Sequence, residues 1–254
     1  MISLTDQAVA ILLLTLRLVP AFGFSAPFTM VRVPAIVRVL LSIALAAWLV
    51  NANPRQTWQS DFLRDGIVMA SASELIIGIG LALSLQFAFA ALLTVGRALD
   101  IQVGFGLAAI VDPTTKNQMP LVGTVFAYAA AAIFFTSDGP GNLLAIWAAS
   151  VQAVPLATGA LSGDVARLLG YLSSVFVIAC GLGGAIMLAL FLSDLAIAFM
   201  SRTLPQMNVM LLGFQVKALV ALALLPAAVA LSGALFVRLL RTALDAAPEL
   251  VMAR

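Results

Sequence analysis

Four charged side chains, Arg17, Glu74, Asp194 and Lys217, lie inside stretches that are otherwise apolar. A lone charge at membrane depth costs on the order of 3 kcal/mol or more, so each must face protein or water. Two kinds of chemistry suit them: an ion or proton path, or pairing between packed helices. A path calls for a repeating ladder of acidic groups, which this sequence lacks, and pairing is the better reading. Asp194 and Lys217 flank the short polar break "SRTLPQ" at 201–206. If a turn centres near Leu204, Asp194 lies opposite about position 214. Lys217 is then displaced by about 4.5 Å along the partner helix, within reach of a lysine side chain.

Catalytic chemistry is nearly absent. The chain has no histidine, which excludes His-based zinc sites, Ser-His relays and His proton shuttles. Cys180 is the single cysteine and admits neither a disulfide within the chain nor a thiolate cluster. No Walker-type phosphate loop is present, and the glycines of "GFG" and "GPG" lack the strand-to-helix setting of a dinucleotide site. Gly106 is followed by Leu107 where an intramembrane aspartyl protease would carry aspartate. No enzyme and no cofactor are expected.

The elements that must hold those charges follow from composition. With 63% hydrophobic and 9% charged residues over 254 positions, the sequence reads as an all-α polytopic membrane protein. The net charge of +2 is small and scattered, which argues against nucleic acid as a partner. The start, "MISLTDQAVAILLLTLR", lacks the basic n-region of a cleaved signal and reads as retained. Apolar runs fall at about 8–30, 35–53, 66–92, 119–136, 142–160, 168–201 and 207–240. The breaks between them are brief, so one integral membrane domain of antiparallel neighbours is expected over 1–254. The last two runs each extend to about 51 Å as helices, beyond a simple span, and must tilt, kink or leave the bilayer. Pro226 is a candidate kink, and Gly181, Gly183 and Gly184 read as close-packing positions. Pro20, Pro27 and Pro34 predict a kink or turn between the first two runs.

One apolar segment is too short for a helical span. The nine residues from Val103 reach only about 14 Å as a helix, against a hydrocarbon core of about 30 Å. Irregular backbone at that depth must be buried in protein or line a cavity.

Taken in order, "RLVPAFGFSAPFTMVRVPAIVR" (17–38), Glu74 with Gly78, "GRALDIQVGFGLAAIVDPTTKNQMP" (from 96) and "RTLPQMNVMLLGFQVK" (from 202) resemble the FliR family. Its members are the R-type export-gate subunits of type III export systems, related to the T subunits of virulence injectisomes. The resemblance implies a P-like part over 1–160 followed by a Q-like long helical hairpin over 161–254. It further implies residence in the bacterial inner membrane at the base of the flagellar basal body. The implied partners are P-type and Q-type subunits, the B-type protein and exported unfolded polypeptides.

The same resemblance places a channel plug in the loop near 96–120, with Gly104, Phe105, Gly106, Leu107, Asp112 and Pro113 as its gating residues. Glycines would let the backbone turn, Phe105 would fill the channel, and Asp112 before Pro113 would hold the loop extended. Arg17, Glu74, Asp194 and Lys217 become subunit-packing charges. Arg202, Pro205, Gln206 and Asn208 become the hairpin turn and a partner contact. Many relatives carry proline after the glycine and phenylalanine at 213 and 214; Gln215 stands here, so a straighter helix is expected. The alternative function is a stand-alone small-solute transporter, but the two symmetry-related halves such a protein favours are not visible.

Overall fold

The computed structural model describes residues 4–57, 66–105, 120–157, 165–203 and 209–251. Among them, nine helices form an all-α polytopic membrane protein: α1 (Leu4–Phe24), α2 (Ala35–Ala52), α3 (Pro54–Thr57), α4 (Ile67–Val103), α5 (Leu121–Thr136), α6 (Gly139–Ala153), α7 (Val165–Thr203), α8 (Val209–Leu231) and α9 (Gly233–Val251). Five are long and apolar enough to cross a membrane (α1, α2, α4, α7 and α8), or six spans if the bent pair α5–α6 counts as one.

Helix α4 organises the rest, because α1, α5, α7 and α9 all pack on it. Its 37 residues extend about 55 Å. Small residues set how closely its neighbours approach. A Cβ at Gly78 would overlap the Arg17 carbonyl of α1, and one at Gly96 would overlap the Gly123 backbone of α5. A Cβ at Gly183 of α7 would come within 2.6 Å of Val95. Gly183 is thus a close-packing position, whereas a Cβ at Gly184 meets nothing.

The proline-rich stretch resolves into a turn between two helices. Pro20 lies within α1, residues 25–33 turn, and Pro34 precedes α2. Gln86 of α4 accepts a hydrogen bond from the Ala26 N–H at 3.0 Å. Arg38 donates to the Phe22 and Gly23 carbonyls at 3.1 and 3.0 Å, capping the end of α1. Phe22, Phe28, Phe134 and Trp147 stack tilted or edge-on beside it, tying the turn to α5 and α6.

Four sequence expectations need correction. Residues 96–103, assigned to the plug loop, form the last two turns of α4, since "GRALDIQV" holds no helix breaker before Gly104. The runs at 119–136 and 142–160 are not independent spans but the two arms of a pair bent by 73°. Asp138 stands at the N-cap position of the second arm, with Pro140 in its first turn. The final run is not one long helix: α8 passes through both Gln215 and Pro226, and the break falls at Ser232 instead. Beyond it, α9 continues past residue 240. Phe236, Leu239, Leu240, Ala243, Leu244 and Ala247 are buried there, while Arg238, Arg241 and Asp245 face outward. That spacing is an amphipathic helix, and α9 folds back onto α4, α5, α6 and α7.

Candidate functional site

Two polar constellations grow from α4, each beginning with a glycine and a carboxylate four residues apart. This spacing puts both on one face of a helix, so the glycine admits a neighbour that the carboxylate can then hold.

The first joins Glu74 and Gly78 to α1. Arg17 and Glu74 are both fully buried, and the guanidinium grips the carboxylate with two bonds: Nε donates to Oε2 at 2.6 Å and Nη2 to Oε1 at 3.0 Å. Its remaining donors reach the end of α6. Nη1 donates to the Ser150 carbonyl at 3.0 Å and Nη2 to that of Val154 at 3.1 Å. The Ala157 N–H in turn donates to Glu74 Oε1 at 3.0 Å. Arginine's planar fork suits this two-toothed grip, and the carbonyls satisfy the donors the carboxylate leaves over. Three segments, α1, α4 and the exit of α6, therefore meet on one neutralised pair.

The second lies at the other end of α4, where the chain leaves for the connection to α5. Gly104 ends the helix in the left-handed region at φ 99°, its N–H reaching the Asp100 and Ile101 carbonyls. Phe105 is half-buried against the core. The returning chain begins α5 under Asp100, whose Oδ1 accepts the Val122 N–H at 3.2 Å. A carboxylate supplied from another helix thus caps the α5 N-terminus, satisfying a donor that α5 cannot pair internally. On the far side, Lys217 of α8 stands 2.6 Å from Asp194 of α7, and its Nζ also donates to the Gln102 carbonyl at 3.3 Å. Gln102 Nε2 donates to the Met187 carbonyl of α7 at 3.4 Å.

Of the residues singled out in the sequence, the structure brings together Arg17 with Glu74 and Asp194 with Lys217. Gly104 and Phe105 stand at the mouth of the 104–120 connection. Gly106, Leu107, Asp112, Pro113, Pro205, Gln206 and Asn208 lie outside the described residues. Arg202 is exposed in the last turn of α7. Sequence reasoning passed over Asp100, Gln102 and Ser150. Asp100 carried a usable signal: it is an acidic residue four positions after a glycine, just beyond the apolar run that ends at residue 92.

The Asp194–Lys217 pair can be tested directly. Asp194→Ala is expected to lower the recovery of folded chain in mild detergent, and adding Lys217→Ala to restore part of it, because one charge left without its partner in an apolar helix pair is worse than none. Strictly additive losses in the double variant would argue against direct coupling.

The sequence has relatives among known proteins. The sequence matches the family described as "Bacterial export proteins, family 1" over residues 8–243. The chain belongs to this family. It is 29% identical over 235 residues to the flagellar biosynthetic protein FliR of Bacillus subtilis (strain 168), covering 88% of this chain and 87% of that one. It is 27% identical over 158 residues to FliR of Escherichia coli (strain K12), covering 62% and 60%. With the Yop proteins translocation protein T of Yersinia pestis it shares 26% identity over 190 residues, 74% and 72% of the two chains. The export protein therefore has relatives named for flagellar biosynthesis and for the translocation of Yop proteins alike, and the sequence expectation of a FliR-type family holds.

Proposed function

We propose that this chain is a non-catalytic subunit of the inner-membrane gate through which unfolded flagellar or type III substrates leave the cell, and that its 104–120 connection plugs the channel. P-type and Q-type subunits and the B-type protein are its partners on this reading, and the base of the flagellar basal body is its place. Helices α7 and α8 would be the Q-like hairpin. The observation that carries the plug reading is the holding of both ends of the connection: Gly104 ends α4 sharply, and Asp100 clasps the first turn of α5. An apolar segment so held, and too short to span, has to be buried in protein or line a cavity. Across a narrow pore, apolar side chains exclude ions by dewetting and can still be displaced by an extended polypeptide.

The family is also compatible with an assembled rather than solitary chain. Ile36, Leu40 and Trp48 of α2, Phe191 and Phe199 of α7, and Leu219 of α8 all face outward, ready for lipid or for partner helices. A stand-alone transporter would instead be expected to move solute as a purified monomer.

The test is deletion of Gly104, Phe105 and Gly106 in cells making the complete gate. Assembly is expected to survive, while ions or small solutes leak through the membrane. Phe105→Ala is expected to leak less, since neighbouring apolar groups refill part of the gap. Conductance or solute-induced growth arrest, compared at equal complex abundance, reads the outcome. A deletion that assembles normally and stays as tight as wild type makes the connection structural and ends the plug reading.

A further inference from the structure

We propose that the outer face of α2 is the wall this chain turns to membrane phospholipid, with acyl chains lying along its aliphatic side chains and headgroup phosphates meeting Arg32 and Arg38. This surface is independent of the plug reading above. It separates two roles that exposure alone leaves mixed, contact with lipid and contact with partner helices.

Length and polarity set the boundaries. The 18 residues of α2 rise about 27 Å, close to a hydrocarbon core of about 30 Å. Polar groups stand at both ends and not on the face between. At the start, Arg32 is exposed, and Arg38 is half-buried with Nη1 donating to the Phe22 and Gly23 carbonyls. A guanidinium at that level suits a phosphate, whose oxygens accept from its planar fork. At the far end Trp48 is 59% exposed; Asn51, Asn53 and Arg55 follow it, and Gln7 of α1 donates to Asn51 at 3.1 Å. Tryptophan beside a polar boundary is a common mark of the membrane interface. Between Arg38 and Asn51 the one hydroxyl, that of Ser42, is buried and bonded to the Arg38 carbonyl at 2.9 Å.

Side-chain size decides between lipid and a partner helix. Helices that meet within a membrane approach through small residues. Helix α2 buries Ser42 and Ala46 and packs on α1. Outward it presents Ile36, Val37, Leu40, Leu41 and Ile43, branched side chains with no polar handle for a neighbour. The outer surface of α7 and α8 is of the other kind. Ser173, Ser174 and Gly181 are exposed on α7, the Asp194 side chain is 42% exposed, and Gln215 is exposed on α8. Polar groups within apolar spans call for protein or water. The chain thus has a lipid wall at α2 and a surface of different character at α7–α8.

The experiment places a benzophenone side chain singly at Ile36, Leu40 or Leu188, which are 73%, 58% and 60% exposed, in cells that make the whole export apparatus with this copy in place of the native one. Illumination before extraction fixes the neighbour, and mass spectrometry of the purified complex identifies it. Ile36 and Leu40 are expected to gain the mass of a phospholipid, whereas Leu188, equally exposed on α7, is expected to give adducts with protein. A protein adduct in place of lipid at Ile36 or Leu40 makes α2 a subunit contact and overturns the proposal, as does the absence of lipid adducts at both. Lipid at all three positions overturns the distinction between the two surfaces. The boundary is read with a membrane-impermeant maleimide on open membrane fragments, in a Cys180→Ser background. Arg32→Cys is expected to be labelled and Leu40→Cys to be labelled several-fold less. Equal labelling of Leu40→Cys means a water-facing surface, and an unlabelled Arg32→Cys puts that position inside protein; either result overturns the lipid wall.

Discussion

Replacing Arg17 by alanine is expected to remove nearly all recoverable folded chain. The substitution strips Glu74 of both guanidinium bonds and leaves the carboxylate fully buried, with the Ala157 N–H as its remaining donor among the described residues. The Val154 carbonyl loses its guanidinium donor at the same time, and the Ser150 carbonyl keeps the Val154 N–H alone. Breaking one side of a buried ion pair costs about 3–5 kcal/mol, a large fraction of what holds a typical domain together. Losing the bonds to the exit of α6 also frees the segment that leads toward α7. Glu74→Ala is expected to be nearly as harmful, because the guanidinium is then the uncompensated charge. The informative comparison is Arg17→Met with Glu74→Leu: apolar replacement of both partners restores neutrality and volume, and is expected to recover a substantial part of the loss. Recovery of monodisperse complex from detergent, with thermal unfolding of whatever is recovered, measures the three variants. A double variant no better than either single would mean that the pair itself contributes little and that its carbonyl bonds carry the effect.

How much of this was legible beforehand differs between the two ion pairs, for a geometric reason. Asp194 and Lys217 lie near the facing ends of α7 and α8, which five residues separate in sequence, so helix rise closely limits how far apart they can be. Arg17 and Glu74 are 57 positions apart with a proline turn and another helix between them; nothing local relates them. Sequence physics could state that each needed a partner but not which one. Helix existence followed from apolar run length, while helix ends did not. The apolar run from 66 reads as ending at residue 92, short of Arg97 and Asp100. In the structure α4 continues, since Asp100 has a use on α5. Helix α9 escaped notice for the same reason: a search for unbroken apolar runs stops at its arginines, whereas its buried positions repeat with helical period. The bend between α5 and α6 and the break at Ser232 depend on what each arm packs against. Proline content alone would have put the second break at Pro226. Family membership was readable because polar residues at fixed places in apolar sequence are specific marks, which hydropathy is not.

Gly96→Ala is expected to loosen the fold and, on the proposed plug reading, the barrier as well, out of proportion to one methyl group. A Cβ at Gly96 would fall on the Cα and N of Gly123 and within 3.0 Å of the Val122 carbonyl carbon. These are backbone atoms, so no rotamer change can relieve the overlap, and α5 itself must move away from α4. Overpacking of this kind costs typically about 1–3 kcal/mol and sometimes more. The displacement falls where it matters most, because the Val122 N–H that Asp100 holds at 3.2 Å belongs to the same turn of α5. A shift of about 1 Å takes that bond outside hydrogen-bonding distance and unclasps the returning end of the connection. Gly184→Ala is the matched control: its Cβ meets nothing, and alanine is the better helix former by about 0.5–1 kcal/mol. It is expected to be neutral or slightly stabilising. Thermal unfolding of the two variants, together with leak at equal complex abundance, separates the possibilities. A Gly96→Ala protein as stable and as tight as the Gly184→Ala control would show that α4 and α5 can part without consequence, and that the Asp100 clasp does not hold the barrier shut.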